Sequence, residues 1–282
     1  MQMGKLKLID SHAHVNFEAF EKDRREVIDK ALEAGVWMIN IGSDFETSRK
    51  ATEISQDYSN GVYTAVGVHP IHVLDETYDE QCMLDLINNN EKVIAVGETG
   101  LDYFHIFKKE GKLQEKAGKS DKLIKKQKEL FKAHLRLARI SNLPLVLHVR
   151  SYHKNDAYWD MLNILQDFKK NFGDYDLRGV IHCYGGNSEI ANTFLKLGFY
   201  IGFTGIITFS GDYDKLIEKI DLKKILVETD CPYLSPVPKR GQRNTPNNVE
   251  LVADKIAQIK GLDRQEVYDQ TTKNCFNLFK LI

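Results

Sequence analysis

Short runs rich in Val, Ile and Leu alternate along the chain with longer stretches whose apolar positions recur every three or four residues. The short runs are LKLIDSHA, VWMINIG, VYTAVGVH, KVIAVGETG, PLVLHVR, GVIHCYG, YIGFTG and KILVETD. They are close to continuously apolar rather than alternating, as strands are when helices cover both faces of their sheet. After the first run, FEKDRREVIDKALEAG sets Val27, Ile28, Ala31 and Leu32 on one helical face. It stops at Gly35, the residue type that most readily takes the left-handed turn ending a helix. The segment from TPNN to the last residue predicts two terminal helices. Eight such β–α units predict a (β/α)8 barrel, one domain over residues 1–282. An open doubly wound sheet would need a Gly-rich phosphate loop after the first strand, and DSHAH stands there without a glycine.

Composition narrows the partners. The chain is 42% hydrophobic and 28% charged with a formal net charge of −1, so any surface for a polyanion has to be local. Cys82, Cys183, Cys231 and Cys275 form no CxxC pair and predict reduced thiols. No apolar run approaches the length of a membrane span, and MQMGKLKLID lacks a signal-type apolar region. The expectation is a soluble, cytoplasmic protein without membrane contact, with monomer as the default. One segment stands out: Lys108 to Lys126 holds eight lysines and three acidic residues. It reads either as a solvated loop or as a basic flap that touches a polyanion.

The chemistry collects at the C-terminal ends of the predicted strands. Strand one offers His12 and His14, strand four Glu98, strand five His148, strand six His182 and strand eight Asp230. In a barrel these ends converge on one mouth. Residues i and i+2 of a strand share a face, so His12 and His14 point together. Imidazoles with carboxylates suit Zn, Mn, Fe or Co. Four histidines and two carboxylates exceed one tetrahedral site, whereas two ions sharing a bridging carboxylate would use all six. A lone strand histidine is ordinarily a hydrogen-bonded side chain; six donors on one rim are not explained that way.

Several neighbours suit a phosphate. Arg150 shares a face with His148 and could fork onto one, and His69 ends strand three. A structural ion pair is the competing reading for Arg150. Arg240 and Arg243 lie after strand eight, where barrels often bind phosphate; a helix-entry loop with solvated charges is the competing reading there. Asp10 and Glu228 each precede a donor by two residues and are placed to hold imidazoles in one tautomer. Tyr103, Phe104, Tyr152 and Tyr184 either stack on bases or pack the rim. His72, His105, His134 and His153 are expected to be incidental.

The motifs DSHAH, GVHP, GETGLD, HVR, HCYGG and ETDCPYLSPVPKRGQRNTP resemble the TatD family of metal-dependent DNases, within the amidohydrolase superfamily. The resemblance runs from Ile9 to the last helices. It implies a barrel, two divalent ions (Zn, Mg or Mn) and hydrolysis of DNA phosphodiesters, from a 3′ end inward. It also implies that His12 and His14 bind the first ion, Glu98 bridges, and His148 and His182 bind the second. Asp230 completes the first site, orients the attacking water and accepts its proton. A carboxylated lysine as bridge is excluded, since no lysine lies near the end of strand four before Lys108. The alternative is a relative acting on another bond, such as the aminoacyl ester of a tRNA. A decayed, non-enzymatic barrel would lack ligands, and all six positions are filled.

Overall fold

The computed structural model describes residues 5–74, 78–110, 117–153 and 156–281. Eight strands follow one another around the sheet in chain order, each parallel to the next: β1 (Leu8–Ala13), β2 (Val36–Ile41), β3 (Val62–Val66), β4 (Val93–Asp102), β5 (Leu145–Arg150), β6 (Gly179–Ile181), β7 (Phe199–Phe203) and β8 (Ile225–Val227). Between and after them come α1 (Arg24–Glu33), α2 (Phe45–Gln56), α3 (Glu80–Asn88), α4 (Tyr103–Glu110), α5 (Ala117–Ser141), α6 (Ala157–Asn171), α7 (Ser188–Leu197), α8 (Asp214–Lys219), α9 (Val249–Lys260) and α10 (Arg264–Phe279). The barrel closes where the first and last strands meet. Ala13 bridges Cys231, Asp230 N–H donates to the His12 carbonyl (2.8 Å) and His14 N–H to the Cys231 carbonyl (2.8 Å).

The two faces of the strands are apolar for different reasons. Leu8, Met38 and Val62 belong to the core shared with the surrounding helices. Their neighbours Ile9, Ile39 and Tyr63 belong to a second cluster, capped by Cys275, Leu278 and Phe279 of α10, which fills the barrel interior. Both faces being buried is why the alternation was invisible in the sequence. In α1, Ile28, Ala31 and Leu32 are buried, and Gly35 turns away at φ +77°. A Cβ there would lie 2.2 Å from the Lys5 carbonyl oxygen, so glycine is required.

Two expectations change. The segment Lys108–Lys126 is not a continuous loop: α4 runs to Glu110 and α5 starts at Ala117. Residues 111–116 lie outside the described residues. Leu123 and Ile124 pack on the core and extend the stripe continued by Leu130 and Phe131, which is why the charged stretch folds as helix. Strands β6 and β8 have three residues each, so His182 and Asp230 stand in the turns that follow them rather than in the strands. No helix among the described residues is long and apolar enough to cross a membrane, and the four cysteines are free thiols.

Candidate metal centre

All six predicted donors meet at one end of the barrel. Two of them sit where the strand ladder is irregular. The register of β1 against β2 shifts between Asp10 and Ala13, which brackets His12. The register of β4 against β5 shifts between Val96 and Thr99, which brackets Glu98. Such irregularities re-aim side chains. His12 Nε2 and His14 Nε2 come within 3.0 Å of each other, so the expected pairing of the two rings holds. Asp230 Oδ1 lies 3.4 Å from His14 Nε2 and 3.8 Å from His12 Nε2.

Glu98 divides its carboxylate between two groups of imidazoles. Its Oε2 faces His12 Nε2 (3.5 Å) and His14 Nε2 (3.8 Å). Its Oε1 faces His148 Nδ1 (3.0 Å), His182 Nε2 (3.0 Å) and His69 Nε2 (3.5 Å). Ligand atoms close enough to share an ion group as His12, His14 and Asp230, and again as Glu98, His148 and His182. The donors are nitrogens and carboxylate oxygens, the set that borderline and hard divalent cations prefer. His12 Nδ1 is buried with no hydrogen-bond partner, so this ring is held by its contacts rather than by a fixed acceptor. His12, His182 and Glu228, and His69, Asp102 and His148, come equally close, so the donors at this end are able to hold metal in several groupings.

The electrostatics match such a store of donors. Burial alone would raise the Glu98 carboxyl, but His182, His69 and His12 outweigh it and hold it well below the usual range. Burial likewise opposes ionisation of Asp230, and His14, His182 and His12 reverse the balance. Burial lowers His182, yet Glu98 and Glu228 carry it well above an ordinary imidazole. His69 goes the other way: burial takes it down to about 3. Its Nδ1 accepts from Ile71 N–H (3.1 Å), so the proton of this neutral ring sits on Nε2, facing Glu98.

The supporting residues divide. Glu228 Oε1 lies 3.3 Å from His182 Nδ1 without the geometry of a hydrogen bond, and it accepts from Cys183 N–H (2.5 Å). Asp10 does not touch an imidazole. It accepts from the backbone N–H of His12 (3.2 Å) and from Thr229 N–H (2.8 Å) and Oγ1 (2.5 Å), so it staples β1 to the segment after β8. Asp102 was overlooked, although it ends the quoted GETGLD. It is fully buried and faces His148 Nε2 (3.0 Å) and His105 Nδ1 (2.6 Å), and these contacts hold its carboxyl low against the effect of burial. The signal was its spacing of four from Glu98, which regular alternation along a strand places on the same face. His105 and His72, expected to be incidental, line the cavity over the centre.

That cavity measures about 910 Å3, and His69 and Arg150 line it. The Arg150 guanidinium lies over the Phe104 ring, its carbon 3.8 Å from the centroid. Arg240 and Arg243 are directed elsewhere. Arg240 covers Phe209 and donates to the Ser235 carbonyl (2.8 Å). Arg243 forks onto Asp23 and donates to the Ala19 carbonyl (2.6 Å), so it is neither turned to the cavity nor left to solvent. Tyr103 and Tyr184 are buried and cannot meet a base; Phe104 and Tyr152 are half-buried and pack on each other, with ring centroids 6.0 Å apart. His134 is a satisfied core residue of α5 that accepts from Val68 N–H (3.0 Å).

Residues 9–280 match the model of the family described as TatD related DNase. The chain is 35% identical to YabD of Bacillus subtilis, an uncharacterized metal-dependent hydrolase, over 97% of this chain and 99% of that protein. It is 28% identical to the human deoxyribonuclease TATDN3, over 99% of this chain and 97% of that one. Among solved structures it resembles the TatD homolog YjjV from Escherichia coli, at a TM-score of 0.81 and 25% identity over 98% of each chain.

Proposed function

We propose that this chain, which belongs to the TatD-related DNase family of metal-dependent hydrolases, cleaves phosphodiester bonds of DNA, releasing nucleotides from a 3′ end. One observation carries the reading: the Glu98 carboxylate reaches two separate sets of donors at the floor of a cavity that Arg150 also lines. A pit that ends on buried groups takes a strand terminus more readily than the middle of a duplex, which favours exonucleolytic action. His12, His14 and Asp230 would hold one divalent ion and His148 and His182 the other, with Glu98 between them. When bound, the ions supply a lowered pKa for water and screening of the phosphate charge.

The chain's own groups do the rest. Asp230 orients a water for in-line attack on phosphorus and takes its proton. The Arg150 guanidinium, held over the Phe104 ring, forks onto the non-bridging oxygens. His69 donates its Nε2–H to the same phosphate. Asp102 fixes the His148 ring.

The test is single-stranded DNA labelled at either end, incubated with Mg, Mn or Zn and with a chelator. Metal-stimulated, stepwise shortening from the 3′ end is expected. No cleavage with any of the three would end the nuclease reading and turn attention to aminoacyl esters of tRNA. Shortening from the 5′ end would reverse the polarity.

A further inference from the structure

A second groove, of about 710 Å3, opens beside the cavity over the centre and shares Phe17, Ser43 and Tyr233 with it. Phe17 stacks on His14, with ring centroids 4.3 Å apart, so the groove wall leans directly on a predicted metal ligand. Tyr233 stands between the two spaces. Its side chain belongs to a residue that is 56% exposed, yet its backbone is fixed. Tyr233 N–H donates to the Asp230 carbonyl (2.9 Å), and its own carbonyl accepts from Asn244 Nδ2 (2.7 Å). Asn244 is fully buried and also donates to the Thr229 carbonyl (3.0 Å). A large ring held rigidly in water, three residues from Asp230, offers a face with no aromatic neighbour stacked on it among the described residues.

The floor of the groove carries a matching request. Asn16 is 1% exposed, and its amide nitrogen donates to the carbonyls of Ile41 (3.0 Å) and Thr47 (3.0 Å). Those two bonds fix which way the amide faces. Its Oδ1 is then a buried acceptor with no donor among the described residues. Asn16 also lines the groove, so a planar group edged with N–H, as in a nucleobase with an exocyclic amine, suits the exposed Tyr233 face and this polar wall.

We propose that Tyr233 is a base-stacking wall and that the groove behind it holds the base flanking the cleaved phosphate. This rests on DNA being the substrate. The strand then crosses the mouth with its phosphate over the centre and one base turned aside against Tyr233. Stacking of this kind tolerates any base, so it selects for unpaired strand rather than for sequence.

The test uses the full chain in chelator, where binding is read without turnover, and then in Mn. The probe is a single-stranded oligonucleotide with 2-aminopurine next to its 3′ end, compared with one abasic there. Wild type should quench the 2-aminopurine, and Tyr233→Ala should raise Kd about tenfold while Tyr233→Phe stays near wild type. The abasic probe should bring wild type down to the Tyr233→Ala level and leave that variant unchanged. In Mn the loss should fall on KM rather than kcat. Cleavage with equal Kd for both probes, or a Tyr233→Ala variant that binds like wild type, overturns the wall. Base-dependent binding without cleavage in any metal keeps the wall and removes the nuclease reading. Neither binding nor cleavage removes both.

Discussion

Asp10, in the seam between β1 and β8, and Glu98, among the imidazoles at the mouth, are buried to similar depth, at 0% and 4% exposure. Their ionisation moves in opposite directions. For Asp10, burial outweighs the hydrogen bonds from Thr229 and His12 and raises the carboxyl well above its usual range. For Glu98, burial is overridden by His182, His69 and His12. Depth alone therefore does not decide charge; the partners do. Backbone amides and a hydroxyl are enough to anchor Asp10, which serves structure. Only a ring of imidazoles makes a buried anion that can serve a cation.

The contrast is broken most severely at Glu98. Glu98→Gln keeps the shape and removes the charge, so bound divalent metal should fall from two per chain to below one. Activity should drop about a thousandfold, or ~4 kcal/mol of barrier. Elemental analysis beside a cleavage assay checks it; full metal content in the variant would detach Glu98 from the centre. Asp230→Asn should lose about a hundredfold or more in kcat with the thermal midpoint nearly unchanged, consistent with loss of a proton acceptor. Activity at the wild-type level would remove Asp230 from the proton transfer.

His134 sharpens the point from the other side, as a buried imidazole with no carboxylate near it. Burial takes it down to about 4. Its folded value lies below the unfolded one of about 6.5. Its neutral ring thus contributes fully above that pH, and the contribution is lost as pH falls from about 6.5 to about 4, by ~3 kcal/mol at most. Denaturant titrations across that window should show the loss, and His134→Gln should flatten it at some cost at neutral pH. Least affected should be Asp10→Asn, which keeps the size and a carbonyl acceptor. Stability should stay within ~1 kcal/mol and activity within about twofold. A variant that failed to fold or lost metal would place Asp10 with Glu98 after all.

The barrel and its donors were legible because strand runs, helical spacing and the order of motifs all reported the same thing. The convergence of His12, His14, Glu98, His148, His182 and Asp230 follows from strand ends meeting at one mouth. Asp102 was legible and missed: alternation along the strand places it, four residues after Glu98, on the same face. The direction of Asp10 was misjudged because its partner Thr229 is 219 residues away. Arg243 looked free for the same reason, its Asp23 lying 220 residues earlier. The lysine-rich stretch hid Leu123 and Ile124, whose packing makes it helix.

The seam between β1 and β8 also sets a schedule. His12 and His14 leave the ribosome more than two hundred residues before Asp230, whose N–H closes onto the His12 carbonyl. A chain halted before that point carries Glu98, His148 and His182 but lacks Asp230, the carboxylate grouped with His12 and His14. The cluster of donors is therefore completed by the same late segment that seals the barrel.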